Sequence, residues 1–338
     1  MSVAPRPLMA DVAARANVSV MTVSRVLNGF PSVAEATRRR VEDAISELGY
    51  TANTAARVLA GGRSRTLGVI AVKTEHFGPS HTLFGIEAAA RASGHLVSFV
   101  TLSSTGRDLA SALEHLRASH IEGIIVVAPV RPVIKAVSQI EEHLPLVVVG
   151  GDPRTRTATV TIDQVEGARM ATQHLLDLGH HTVHHVAGPR SWVDASARQR
   201  GWTEALRQRG ALRPPPLGGD WGARRGYEAG LRLAQDPGVT AVFAANDQTS
   251  LGVLRALHEM GRTVPDDVSV VGFDDTPESG YFVPALTTIR QNFNEVGRRC
   301  VELMLSLIDG KVDQRHLVVA PEMVVRESSA APPKRVLP

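Results

Sequence analysis

From residue 67 to about residue 320, short runs of β-branched and aliphatic residues alternate with longer stretches whose apolar positions recur every three to four residues. The runs at 67–72, 96–101, 123–127, 146–149, 182–187, 240–244 and 268–273 are nearly continuous in apolar residues, which predicts strands buried on both faces. The stretches between them have the helical period and stop at Gly94, Gly179 and Gly261. Strands separated by helices predict a parallel, doubly wound α/β sheet. The series starts again near Asp163. This predicts two lobes, the first from 66–162 plus 292–320 and the second from 163–291 plus 321–328. Open parallel sheets bind ligands outside the carboxyl ends of their strands, so two facing lobes place both sets of ends around one crevice.

Before residue 66 the pattern is different. Helical spacing occurs at 10–16, 20–28 and about 33–48, with the Asn17-Val18 turn after the first segment and Ser19 as cap of the second. Gly29 and Pro31 stop the second, and Gly49 stops the third after a face of Val41, Ala44, Ile45 and Leu48. Residues 8–50 therefore read as a three-helix head. Residues 51–65 are rich in Thr, Ala, Gly and Arg and read as a linker holding one short helix, 53–60. At the other end, the Pro, Ser and Ala of 329–338 read as a disordered tail.

Composition narrows the class. The 338 residues are 43% hydrophobic and 21% charged, ordinary globular values, and the single Cys300 excludes a disulfide scaffold. The longest apolar runs, 124–130 and 144–149, fall far short of the roughly 18–20 residues that span a bilayer. The start, MSVAPRPLMADVAARA, carries charge where a signal peptide needs an apolar stretch, so a cytoplasmic location is expected. Of 37 basic and 34 acidic residues, nine arginines and five acids lie in 1–65, leaving 28 and 29 for the rest. The basic excess thus belongs to the head, where phosphate neutralisation would require it.

Several residues suggest chemistry. His180, His181, His184 and His185 form an HHxxHH cluster, but in a strand starting near Thr182 the last two point to opposite faces, so a solvated strand entry is expected and not a metal site. Asp163 and Asp274 as an acid and base pair lack any supporting signature, and Cys300 fits a small core residue on a helix over 294–308. No G-x-S-x-G, Walker or dinucleotide motif is present. Neither an enzyme nor a cofactor is expected.

The run DVAARANVSVMTVSRVLNG has helix-turn-helix spacing. Together with EATRRRVEDAISELGY, NTAARVLAGGRSRTLGVI, LLDLGH (175–180), FAANDQTSLG (243–252), VPDDVSVVGFDD (264–275) and PALTTIRQNF (284–293), it resembles the lactose/galactose repressor family of bacterial transcription regulators. The resemblance covers about residues 8–328. It implies an all-α helix-turn-helix head and hinge helix joined to a two-lobed, periplasmic-binding-protein-like effector domain. The second helix of the head would lie in the major groove with Val20 and Met21 in the two principal reading positions, which favours thymine methyl contacts, and Arg25 as the donor to guanine. Ser19, Thr22, Ser24, Asn28, Thr37 and Tyr50 are the expected phosphate partners, and these set register. Leu8 departs from the family, where a hydroxyl residue commonly starts the first helix. In the linker, Leu59 resembles the wedge that enters the central base step from the minor groove, beside Asn53 and Ala56, and an eight-residue helix should order only on DNA.

In the body the resemblance implies a small effector between the lobes, held by Phe77, Pro79, Arg198, Trp221, Asn246, Asp274, Gln291 and Phe293. Arg198, Asn246 and Asp274 suit the vicinal hydroxyls of a sugar, Trp221 and Phe293 offer flat faces to a pyranose ring, and Phe77, Gly78 and Pro79 close the first lobe's side. Each of the three polar residues also has a plainer reading: Asn246 as a helix cap, Asp274 in a turn, Arg198 on a solvated face. Lactose-type members carry an acid after the strand at 146–149, whereas this chain has Gly150, with Asp152 two residues on. GDW, the Tyr281-Phe282 pair and RQNF look most like members that respond to galactosides or β-glucosides. The expected protein is a homodimeric repressor on a pseudo-palindromic operator, and Pro332-Pro333 cannot continue a coiled coil towards a tetramer. A stand-alone sugar receptor would need a signal peptide in place of the basic head.

Overall fold

The computed structural model describes residues 7–27, 30, 32–50, 63–72, 76–128, 130–137, 144–150 and 157–334. They form two compact units that divide at Arg65 and Thr66.

The head has α1 (Met9–Ala16), α2 (Val20–Leu27) and α3 (Glu35–Leu48). Val12, Ala13 and Ala16 meet Val23, Val26, Val41, Ala44 and Tyr50 in one small core. Asn17 ends α1 in the left-handed region at φ 51, a conformation Asn tolerates better than most residues. Ser19 caps α2 as expected, its Oγ accepting from the Thr22 N–H at 3.1 Å. Leu8 has no side-chain oxygen for this, and Asp11 supplies the compensation by accepting the Leu8 N–H at 2.7 Å. The linker helix expected at 53–60, with Asn53, Ala56 and Leu59, lies outside the described residues, as do Asn28, Gly29 and Pro31.

The body opens with β1 (Thr66–Val72), β2 (Leu96–Leu102), β3 (Gly123–Val127), β4 (Leu146–Val149) and β5 (Ala158–Ile162). With β11 (His316–Val319) they make a six-stranded parallel sheet in the order β11-β5-β4-β3-β1-β2. Leu67, Val69 and Ala71 face one helical layer, α4 (Phe77–Ala92) and α11 (Phe293–Ile308), and Ile70 and Val72 face α5 (Leu109–Ala118) and α6 (Arg131–Val137). This two-sided burial explains the unbroken apolar runs. At β2 it fails, because β2 is the sheet edge and exposes Leu96 and Phe99.

The second lobe has a four-stranded parallel sheet, β7-β6-β8-β9, from β6 (His184–Ala187), β7 (Leu217–Gly218), β8 (Ala241–Ala244) and β9 (Ser269–Val271). One face is covered by α7 (Gln164–Asp177) and α8 (Val193–Arg209), with Phe243, Phe273 and Trp202 between. The other is covered by α9 (Ala223–Ala234) and α10 (Asp247–Glu259). These two helices cross at glycines: a Cβ on Gly226 would lie 2.1 Å from the Thr249 carbonyl oxygen, and one on Gly252 would lie 1.9 Å from that of Ala223. An antiparallel ribbon of β10 (Thr288–Arg290) and β12 (Glu322–Val324) completes the body. The chain passes between the lobes after β5, β10 and β11.

All seven strands expected from the apolar runs are present. Five others, β5, β7, β10, β11 and β12, were not expected; of these β5 (ATVTI) is as long as β3, and the rest have two to four residues. The tail is corrected at its first residues. Ser329 Oγ bonds His174 Nε2 at 2.9 Å, and the Ala330 N–H donates to Ser269 Oγ at 3.0 Å, so this backbone is pinned by polar partners and is not free. The histidine cluster is corrected too. His180 is buried and shared among Thr240, Ser269 and Ala330, and His185 is buried and stacked on Phe243, with burial lowering its pKa to about 4. Asp163 caps α7 through the Glu166 N–H at 2.9 Å, and burial raises the Cys300 thiol's pKa. Among the described residues no helix is long and apolar enough to cross a membrane.

Candidate functional site

The carboxyl ends of β3, β4 and β5 in the first lobe and of β8 and β9 in the second open onto one cleft of about 680 Å³. Phe77, Pro79, Arg198, Trp221, Asn246, Asp274, Gln291 and Phe293 all line it. Residues 216 positions apart in sequence thus share one cavity, because most of them stand in the strand-to-helix connections or the first turns of the helices that follow.

A closed circuit of hydrogen bonds organises the second lobe's wall. Arg198 donates from Nε to Gln164 Oε1 at 2.8 Å, Gln164 Nε2 donates to Gln291 Oε1 at 2.7 Å, and Gln291 Nε2 donates to Asp274 Oδ1 at 2.6 Å. Arg198 Nη2 closes it on Asp274 Oδ1 at 3.4 Å, while Nη1 donates to the Ala245 carbonyl. The guanidinium lies 3.8 Å over the Phe273 ring, a cation–π contact shielded from water. Arg198 is only 5% exposed, so it is not on a solvated helix face. Asp274 sits at φ 116 after β9, and burial pushes its carboxyl pKa up to about 7 although Arg198 opposes the shift.

Asn246 turns out to be both a cap and a cleft residue. Its Oδ1 accepts from the Thr249 N–H at 2.9 Å, its Nδ2 donates to the Trp221 carbonyl at 3.1 Å, and one amide hydrogen is left over. Behind it, Asp247 is buried with three donors, Thr276 N–H, Ser279 Oγ and Thr288 Oγ1, and burial still raises its pKa to about 6. The aromatic walls are edge-to-face pairs. Phe77 meets Phe293 at 5.7 Å, and Trp192 meets Trp221 at 5.6 Å.

The structure adds cleft residues that sequence reasoning missed, chiefly His76, Gln164, Trp192 and Asp194. Gln164 follows β5, a strand not expected from the sequence, and Asp194 lies four residues before Arg198 in DASARQRGW with no signal that singles it out. Gly150 lines the cleft, and Asp152 lies outside the described residues. Tyr281, singled out with Phe282, is 87% exposed and absent from the cleft lining, while Phe282 packs on the second lobe's core.

On the head, Val20 and Met21 are exposed at 47% and 64%, as side chains that read bases must be, because Val23 and Val26 take the inward face of α2. Arg25 is exposed and makes no ion pair with a described residue. Ser19 is exposed, and Thr22, Ser24 and Thr37 are partly so. Tyr50 differs from expectation: at 8% exposure it belongs to the core of the head, where it clusters with the small residues Ala13, Ala16 and Ala44 of α1 and α3.

Residues 8–53 match the family model of the bacterial regulatory proteins of the lacI family, and residues 172–329 match the periplasmic binding protein-like domain. The chain is 34% identical over 327 residues to the lactose operon repressor of Escherichia coli (strain K12), covering 95% of this chain and 90% of that protein. It is equally 34% identical, over 337 residues, to the HTH-type transcriptional regulator CelR of Thermobifida fusca, covering 96% and 98%. Among solved structures, the lac repressor dimer bound to operator and the anti-inducer ONPF matches with TM-score 0.89 at 32% identity, over 97% of this chain and 100% of that one. A CelR–cellobiose complex matches with TM-score 0.71 at 32% identity, over 96% and 100%. The chain belongs to the lacI family. It is a transcriptional regulator with a helix-turn-helix head and a periplasmic-binding-protein-like effector domain.

Proposed function

We propose that this regulator is a homodimeric repressor that holds a pseudo-palindromic operator through α2 and releases it when a galactoside or β-glucoside enters the cleft. The observation that carries the reading is the convergence of Arg198, Asn246 and Asp274 with Trp221 and Phe293 on one cavity. Donor, mixed group and acceptor together suit adjacent hydroxyls, and flat aromatic faces suit the apolar face of a pyranose. The relatives named for lactose-operon repression and for a cellobiose complex point to the same sugar classes.

In the head, Val20, Met21 and Arg25 contact base edges, and Ser19, Thr22, Ser24, Asn28 and Thr37 contact phosphates. Leu59, with Asn53 and Ala56, enters the minor groove between half-sites. Sugar binding and DNA binding are coupled through the linker, so each weakens the other by the same factor. The test has two arms. A thermal-shift screen of the full chain against lactose, galactose, cellobiose and glucose should show stabilisation by one sugar class, about 2.7 kcal/mol at 100 times its Kd. Selection from random duplexes should return a two-fold symmetric site whose binding that sugar weakens. A selected site that no sugar of the panel releases overturns the reading.

A further inference from the structure

We infer that Asp194 is the specificity-determining acid of the cleft: its carboxylate accepts hydrogen bonds from hydroxyls of an uncharged sugar and excludes the corresponding sugar acids and sugar phosphates. This rests on the sugar reading of the cleft proposed above. Asp194 is in the first turn of α8 and lines the cavity, yet no donor among the described residues bonds to its carboxylate. Other acids in the first turn of a helix here have donors, Glu166 accepting from Arg169 and Glu295 from Arg298. Asp194 has none among the described residues, and it lines a binding cavity with its acceptor sites unused.

Among the described residues no neighbouring group bonds to it. Arg198 directs Nε, Nη1 and Nη2 to Gln164, the Ala245 carbonyl and Asp274, and none of these bonds goes to Asp194. Burial raises the pKa of Asp194 while the Arg198 charge opposes the shift, so the acid feels that cation only at a distance. A second unmet group lines the same wall: Trp221 is 4% exposed, and its indole Nε1–H has no acceptor among the described residues. A free acceptor and a free donor in one cavity call for a ligand that both donates and accepts, and a polyol does. A carboxylate or phosphate group placed against Asp194 has no hydrogen to donate and meets like charge there, and the one guanidinium among the cleft-lining residues, Arg198, is already paired with Asp274.

The position also accounts for the departure at Gly150. A Cβ on Gly150 would have Val193 Cγ2 as its nearest neighbour, at 3.9 Å. The residue beside Asp194 therefore borders the place where lactose-type members carry their acid after β4. This chain supplies an acid to that side from α8.

The experiment is titration calorimetry on the full-length chain with lactose and cellobiose, and with lactobionate, cellobionate and glucose 6-phosphate as anionic probes, for the parent, Asp194→Asn, Asp194→Ser and Asp152→Asn. Asn keeps the size and one acceptor, so the fold is retained, and the operator affinity of each variant checks it. A hydrogen bond to a charged acceptor corresponds to roughly 10- to 100-fold in affinity. The expected result is that loss for the neutral disaccharide in both Asp194 variants, unchanged Asp152→Asn, and no binding of the anionic probes to the parent. Parent binding of an anionic probe as tightly as the neutral one, or the loss falling on Asp152→Asn instead, overturns the inference and leaves the sugar reading standing. A parent that binds neither neutral disaccharide overturns both.

Discussion

Gln164 and Gln291 are 127 residues apart in sequence, yet the Nε2 of one donates to the Oε1 of the other at 2.7 Å in the cleft floor. Gln164 stands just after the passage that follows β5, and Gln291 just after β10, so the bond ties together two of the crossings between the lobes. Each amide spends its other half on the binding wall, Gln164 on Arg198 and Gln291 on Asp274. The residues that orient the wall are therefore seated where the lobes must pivot if they move.

Gln164→Ala should lower sugar affinity about 3- to 30-fold, because Arg198 loses its Nε acceptor and no longer holds one orientation. Sugar-free operator affinity should stay within twofold of the parent's. Calorimetry and DNA titration together check this, and undiminished sugar affinity would remove the circuit from the positioning role given to it.

Arg198→Ala and Asp274→Ala should each abolish sugar binding while leaving the head, and hence sugar-free operator binding, intact. In the parent the sugar should weaken DNA binding by a coupling of about 1–3 kcal/mol, and DNA should weaken sugar binding equally. Operator affinity measured with and without sugar decides the matter. Release of either variant by the parent's effector would show that the cleft residues are misassigned.

Asp274 is protonated near pH 7 in the folded chain, against an ordinary value of 3.8. A carboxyl raised by folding favours the folded state below its unfolded pKa and withdraws that contribution as pH rises through the folded one. The Tm of the parent, relative to that of Asp274→Asn, should therefore fall between about pH 4 and pH 7 and level off above. Parallel melting series across that window test it. A constant difference would place the Asp274 titration elsewhere.

Arg25→Ala should remove operator preference and leave weak, salt-sensitive binding to any duplex, since a bidentate Arg–guanine contact contributes about 1–3 kcal/mol of discrimination. Titration against the selected site and a scrambled duplex measures the ratio. An unchanged ratio would mean that Arg25 reads no base.

Gly252→Ala should destabilise the second lobe by at least about 2 kcal/mol, because a Cβ there lies inside contact distance of the α9 backbone and the helices must part. Gly261→Ala, at φ +70 with open space around it, should cost less, through backbone strain alone. Thermal melts compare the two. Equal effects would contradict the close crossing of α9 and α10.

Much was determined by the sequence alone. The apolar runs marked the strands buried on both faces, since a parallel sheet wrapped by helices leaves no polar position along them, and glycines and caps marked the helix ends. The eight cleft residues were legible through the family resemblance, with Arg198, Asn246 and Asp274 also standing out as polar residues near strand ends. Tertiary structure decided what depends on neighbours distant in sequence. Tyr50 became core because the folded head packs it with Val12, Ala13, Val41 and Ala44 from α1 and α3. The tail became fixed at Ser329 and Ala330 because His174 and Ser269 offered partners there. Asp194 carried no signal in the sequence, and its place in the cleft lining without a donor among the described residues comes only from the fold. Local periodicity reports which way a side chain faces, but only the assembled lobes settle whether its hydrogen bonds are met.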